Sequence, residues 1–290
     1  MQTPSWRDLR GVDPLDLGEA RLQAHYAAQW LARAARAYIP ALPDDSHTNL
    51  GWIDAIGGFE THRLHHGSHL GLGVADHALV FTAAGQGVAG ASFPLAGCTD
   101  AQARIWLRTQ FTVRGLKPDA LDGASPYAMP AHPIAGGAPY GGKELAGAFG
   151  ELAAWFANAE AALTTSRAQI SAKGLPAPAP RCWPHHFDLA TQVHFPTGDG
   201  KTTAYAGAGF SPGDHYYDEP YFYVSLYPAP DAATLPALPA IGHWHSQEFT
   251  AAVAPASKIV AAHDQQAGVA EFLAIAVDTA IATLQGIGRR

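Results

Sequence analysis

Tyr221-Phe222-Tyr223-Val224-Ser225-Leu226-Tyr227 alternates strictly: Phe222, Val224 and Leu226 face one way, Tyr221, Tyr223, Ser225 and Tyr227 the other. A period of two with one apolar side marks a half-buried antiparallel strand. Two more strands are expected just before it, near 183–194 and 202–210. The second is made of small residues over 204–209, which leaves room beside the large aromatics. Upstream, 143–172 carries Leu145, Phe149, Leu152, Phe156, Ala159 and Leu163 at helical spacing, and Pro176 to Pro180 close it. Downstream, a helix is expected over 265–284, with Asp264 as its N-cap.

The first half follows the same order. Leu22, Tyr26, Trp30 and Ala34 predict a helix over 18–39, ended by Pro40 and Pro43. Residues 49–82 read as β, with two strands meeting at a tight turn at Ala75-Asp76. Thr99 and Gln102 form a capping box that opens a helix to about Arg114, closed by Gly115. The fold class is therefore α+β, with antiparallel sheets covered by helices. The recurrence of helix, about three strands, helix is the pattern of an internal duplication, although residue identity between the halves is weak. The expected division is an N-terminal α+β half over 1–115, a Pro/Gly-rich connection over 116–142, and a C-terminal α+β half over 143–290 that carries the site. One compact domain would also accommodate this order.

Bulk properties narrow the function classes. The chain has 290 residues, 18 Lys plus Arg and a formal net charge of -7, which argues against nucleic acid as a partner. The 15 His raise the prospect of metal or acid–base chemistry. Two cysteines, Cys98 and Cys182, make neither a disulfide framework nor a Cys-type zinc site. The start lacks the pattern of a secretory leader, and no apolar run approaches the roughly 20 residues of a membrane span. These features predict a reduced, soluble, cytoplasmic protein of bacterial type with no membrane partner. There is no P-loop, no Gly-x-Ser-x-Gly elbow, no His-Glu-x-x-His helix and no complete dinucleotide fingerprint, which argues against a nucleoside triphosphatase, a serine hydrolase and a dehydrogenase, and no nucleotide cofactor is expected.

The candidate chemistry concentrates in Trp183-Pro184-His185-His186-Phe187-Asp188 and in Phe210-Ser211-Pro212-Gly213-Asp214-His215-Tyr216-Tyr217-Asp218-Glu219-Pro220. On a strand, His186 and Asp188 share a face, with Gln192 and His194 further along it. His-x-Asp plus a distant His is the ligand pattern of a two-His-one-carboxylate site. His243 or His245, in a Pro-rich loop over 228–248, could complete it, which would imply iron, zinc or manganese. The same pair also fits a structural role, a carboxylate orienting an imidazole. Without metal, His185, His186, Asp188, Asp214 and His215 would supply general acid–base groups. Trp183, Tyr221, Tyr223 and Trp244 would contact a ligand, with Trp244 as a lid. A wider tyrosine face, including Tyr205, Tyr216, Tyr217 and Tyr227, suits stacking on a planar or sugar-like molecule.

Five stretches stand in one order along the chain: Asp76-His77-Ala78-Leu79-Val80, the 85–95 hairpin leading to the Thr99 helix, the 143–172 helix, Phe187-Asp188-Leu189-Ala190, and Gly209-Phe210-Ser211-Pro212-Gly213. In these the chain resembles an uncharacterised bacterial family known only as a domain of unknown function. The resemblance implies a shared fold and pocket, and no activity. The expected function is an enzyme acting on a small polar molecule through a His/Asp metal or acid–base centre. The alternatives are a ligand-binding module without catalysis and an assembly protein. In the last case the apolar C-terminal helix, with Val269, Phe272, Leu273, Ala276, Val277 and Ile281, would join copies into a homo-oligomer.

Overall fold

The computed structural model describes residues 6–64, 67–83, 89–195 and 204–287. The α+β class holds, with two antiparallel sheets. The chain divides into two compact units that interleave in sequence. One comprises Gly11–Ala157 with Arg181–Phe187, and the other Met1–Arg10, Asn158–Pro180 and Asp188–Arg290.

In the first unit, helix α1 (Gly18–Tyr38) is preceded by a 3-10 turn that Asp13 caps by accepting from the Leu15 amide. Its inward side is built mostly of alanine, with Trp30 and Leu31. The sheet runs in chain order: β1 (Gly51–Ile53), β2 (Gly58–Glu60), β3 (Ser68–Gly73), β4 (Ala78–Ala83) and β5 (Ala89–Pro94). The expected β3–β4 turn is present, and His77 leaves it at a φ of 44°. Residues 85–88 of the expected 85–95 hairpin lie outside the described residues. Helix α2 (Asp100–Val113) opens on the capping box at Thr99 and Gln102, and Gly115 follows at a φ of 73°. The stretch 116–142 also lies in this unit, where Leu121, Ile134 and Tyr140 are buried. Helix α3 (Ala146–Ala172) begins after a 3-10 turn at Lys143–Leu145.

Strand β6 (Arg181–Trp183) joins this unit through paired backbone hydrogen bonds between Cys182 and Leu50, at 2.8 and 2.9 Å. The turn after it is seated firmly. The Pro184 carbonyl accepts from Nε2 of His25 and from Nε2 of Gln29, each at 2.8 Å. Phe187, at a φ of 59°, stacks on the His25 ring at 5.3 Å and meets Phe156 and Phe59 edge-on.

In the second unit the strands run in the order β10 (His243–His245), β11 (Ala251–Pro255), β9 (Tyr221–Tyr227), β8 (Ala204–Ser211), β7 (Asp188–Phe195). Residues 243–245 are therefore an edge strand and not the loop expected over 228–248. Helix α5 (Gln265–Ile287) follows the short α4 (Ala256–Val260) and lies against β9, β8 and β11. The Asp264 N-cap is present, accepting from the Ala267 amide at 2.9 Å. Gln265 Oε1 in turn accepts from the Leu9 amide and the Trp6 indole.

Helix α5 corrects the reading of apolar runs. Over Gln265–Gly286 it is long and apolar enough to cross a membrane, with a mean hydropathy of 1.7. Glu271 and Asp278 interrupt the run in sequence without breaking its apolar side. Val269, Phe272, Leu273, Ala276, Val277 and Ile281 are buried within the protein, the placement of a core helix.

Two buried imidazoles link the fold to pH. Burial pushes His25 down to about 4, against the opposing hydrogen bond to Pro184. Burial likewise lowers His77, which stacks on Phe149 at 3.9 Å, to about 4. The folded state thus binds fewer protons than the unfolded chain between the ordinary 6.5 and about 4. Stability is complete above that window and falls as pH drops through it, by on the order of 3 kcal/mol per group. Urea unfolding at neutral pH and near pH ~4.5 should show this loss, and His77→Asn, which tolerates positive φ, should flatten the slope.

Candidate functional site

The tyrosine side of the second sheet gathers most of the expected residues. Register places Tyr223 opposite Gly209 on β8 and Val253 on β11, with His243 opposite Val253 and His245 opposite Ala251. His243 and His245 therefore share a side with Tyr221 and Tyr223. Ala251, Val253 and Tyr221 form the buried floor of this side, and Tyr217, Tyr223 and Phe249 pack on it.

Two phenol–carboxylate pairs hold the site. Tyr223 donates to Oδ2 of Asp188 at 2.5 Å. To reach β7 its ring must cross the middle strand, and it does so over Gly209, where any Cβ would collide with the ring. Gly209, at the end of the small-residue stretch, thus serves a crossing side chain. Tyr221 donates to Oδ2 of Asp214 at 2.6 Å. The other oxygen of Asp214 accepts from the amides of Tyr216 and Tyr217, closing the turn that Pro212-Gly213-Asp214 marks in the sequence. Burial first, and then the facing carboxylates, push both phenols above their usual range.

Tyr217 is the hub. Its hydroxyl lies 3.0 Å from Nε2 of His243 and 3.0 Å from Nδ1 of His245. Nε2 of His245 is 2.7 Å from the Gln247 carbonyl. A carbonyl only accepts, so that nitrogen carries the proton and a neutral His245 accepts at Nδ1. Tyr217 then donates to His245 and accepts from Nε2–H of His243. Partial desolvation of its ring, followed by the nearby His245 and Lys258, lowers the pKa of His243. Tyr216 donates to Glu248 at 2.7 Å, and Phe249 stands against both Tyr216 and His245.

The remaining expected residues fall elsewhere. His185 and His186 are exposed in the turn after β6, in the first unit. His186 does not share a strand face with Asp188, because the left-handed Phe187 ends that turn and Asp188 begins β7. His194 does share the face of Asp188, but six residues further along the strand, roughly 20 Å away. It stands beside Tyr205. His215 is exposed, its ring tilted against that of Tyr216 with centroids 3.8 Å apart. Trp183 is half-buried in β6, its ring 6.0 Å from His185. Trp244 points to the other side of β10 from its flanking histidines and donates to the Pro236 carbonyl at 2.8 Å. Among the described residues no three or more His, Cys, Asp or Glu side chains come together as a metal-ligand group.

Tyr217 was legible only as one tyrosine of a face. Its position between two imidazoles depends on β10 pairing with β11, which no local pattern announces. Phe249 was missed for the same reason.

The elements and their site define an α+β protein with a phenol–imidazole–carboxylate cluster on one sheet. Residues 177–287 match the model of a family of unknown function (DUF5996). The match covers less than half of the chain and includes Asp188, Tyr217, Tyr223, His243 and His245. It leaves out the stretches 76–80, 85–95 and 143–172 on which the resemblance also drew. No curated protein and no solved structure matches the chain.

The Gly209 crossing can be tested by a double-mutant cycle. Gly209→Ala should cost on the order of 2 kcal/mol in chemical denaturation, because the Tyr223 ring must move. In a Tyr223→Ala background the same substitution should cost far less.

Proposed function

We propose that the protein is an enzyme acting on a small polar molecule by proton transfer at the His243–Tyr217–His245 cluster. The observation that carries this reading is the Tyr217 hydroxyl held 3.0 Å from both imidazoles, with the tautomer of His245 set by Gln247. His243 is exposed at the end of this chain of hydrogen bonds, and its Nδ1 makes none among the described residues. A proton taken there from a substrate releases the Nε2 proton to Tyr217. Tyr217 passes its own proton to Nδ1 of His245, and the resulting imidazolium keeps its donor bond to Gln247. The positive charge thus moves away from the substrate, which lowers the cost of proton abstraction. Asp188 and Asp214 act as positioning residues through Tyr223 and Tyr221.

A divalent metal is the second reading, favoured by the same geometry: two imidazole nitrogens aim at one oxygen. Iron, zinc or manganese bound there would take His243, His245 and the Tyr217 oxygen as ligands. As a platform for stacking, the tyrosine side offers rings more than donors, since Tyr216, Tyr221 and Tyr223 already donate to carboxylates.

A library of small polar metabolites incubated with the protein and followed by NMR tests the proposal. Wild-type protein should consume one of them or exchange its acidic C–H for deuterium. Tyr217→Phe should lower that rate by about 10²-fold or more with little change in melting temperature. The acid limb of the rate should lie below the ordinary histidine range, because His243 must be neutral and its pKa is lowered. No conversion by wild type, or full activity in Tyr217→Phe, overturns the reading. Elemental analysis of the untagged protein decides the metal reading: near-stoichiometric metal that a His243→Gln, His245→Gln variant loses supports it, and metal-free active protein removes it.

A further inference from the structure

The first unit contains a cavity of about 680 Å³ between α1, the start of α2 and the stretch 122–137. That volume is in the range of small-molecule sites. The cavity lies outside the residues matched by the family model and far in sequence from the tyrosine side. Its chemistry is independent of the proton transfer proposed for that side.

The neutral polar groups of its wall are already used within the protein. Gln29 accepts from the Tyr127 hydroxyl and donates to the Pro184 carbonyl. Tyr26 donates to the Pro130 carbonyl, and Ser125 to that of Tyr127. Arg104 and Asp122 pair with each other at 2.7 Å. Two charges are left. Arg33 makes no hydrogen bond or ion pair among the described residues, its Nε is buried, and its charge acts on Asp122 only at a distance. Its guanidinium is held over the Trp30 ring, 4.8 Å from the centroid. Asp100 accepts hydrogen bonds only from neutral donors among the described residues, the Trp30 indole at 2.8 Å and the Tyr140 hydroxyl at 3.1 Å, both on the same oxygen Oδ1, while the Arg104 charge acts on it without a hydrogen bond. Arg33 and Asp100 line one cavity, and no ion pair joins them among the described residues.

A fixed cation and a fixed anion that face one space without meeting are complementary to a molecule carrying both opposite charges. Each is held in place: Arg33 by stacking on Trp30 one turn earlier in α1, and Asp100 by its two donors. The Trp30 indole takes part in both, so one side chain sets the separation. Trp30 and Ile134 are almost wholly buried and, with Met129, form an apolar wall beside the charges. We infer that this cavity binds a free α-amino acid or a close zwitterionic analogue, its carboxylate on Arg33, its ammonium on Asp100 and an apolar side chain against Trp30, Met129 and Ile134. A carboxylate–guanidinium contact is the stronger of the two polar anchors, because Arg offers a planar pair of donors.

Thermal shift and titration calorimetry on the full chain test this with the twenty common L-amino acids as probes. The expected result is that at least one with an apolar side chain stabilises the protein and binds at millimolar concentration or tighter. Its carboxamide, which lacks the carboxylate, and its N-acetyl derivative, which lacks the ammonium, should each bind at least roughly tenfold more weakly. Arg33→Gln should lose binding of the parent amino acid while its own melting temperature stays close to wild type. Binding of both derivatives as tightly as the parent overturns the proposal, as does unchanged affinity in Arg33→Gln, or no binding by any of the twenty. The two derivatives need no variant, so the test survives if Arg33→Gln fails to fold.

Discussion

The Pro184 carbonyl accepts two hydrogen bonds from α1, one from His25 and one from Gln29. Beside it Phe187 is buried against His25, Phe156 and Phe59. Together these contacts anchor a four-residue turn to the first unit and force Phe187 into the left-handed region, a strained conformation for an aromatic residue. The consequences reach the whole 183–188 run. His185 and His186 are turned outward to solvent, and Asp188 starts a new strand with its carboxylate committed to Tyr223. A run that reads as one continuous strand is in fact a strand, a seated turn and a second strand. The burial that secures the turn also makes His25 neutral at physiological pH, so the anchor itself is weakened by acid.

On the second sheet the governing constraint is steric. A phenol can pass from β9 to β7 only where β8 offers no side chain, and Gly209 supplies that gap. The crossing lets Tyr223 bury its hydroxyl on a carboxylate two strands away, so that the phenol is not left unpaired. Tyr221 solves the same problem over a shorter reach by using the Asp214 turn. Both phenols are thereby kept protonated, and their carboxylates are acceptors with defined orientation. This leaves Tyr217, whose partners are imidazoles, as the phenol of the cluster beside groups that offer both a donor and an acceptor nitrogen.

The two units handle charge in different ways. The second sheet pairs each acidic group of its tyrosine side with a neutral donor and places its histidines around a hydroxyl. The first unit saturates Asp122 with Arg104 and Arg108 at the surface, yet keeps Arg33 and Asp100 apart on the wall of a cavity. Separating opposite charges in a partly desolvated space is unfavourable for the protein alone. Stacking on Trp30 and hydrogen bonding from Tyr140 hold that arrangement.

By itself the sequence determined the elements whose signals are local. The 3.6-residue spacing in α1 and α3, the capping box at Thr99 and Gln102, the Asp264 cap, the Gly115 stop and the alternation of Tyr221–Tyr227 all depend on neighbours a few residues away, and the structure contains each of them. It also marked the histidines, tyrosines and carboxylates that carry chemistry. Only the tertiary structure decided which of them meet. His243 and His245 reach Tyr217 because β10 adds to the edge of β11. Tyr223 reaches Asp188 because β8 is open at Gly209, and Arg33 comes to face Asp100 because α1 and α2 enclose one cavity. These meetings join residues 26 to 67 positions apart, and such long-range pairing leaves no periodic trace in the chain.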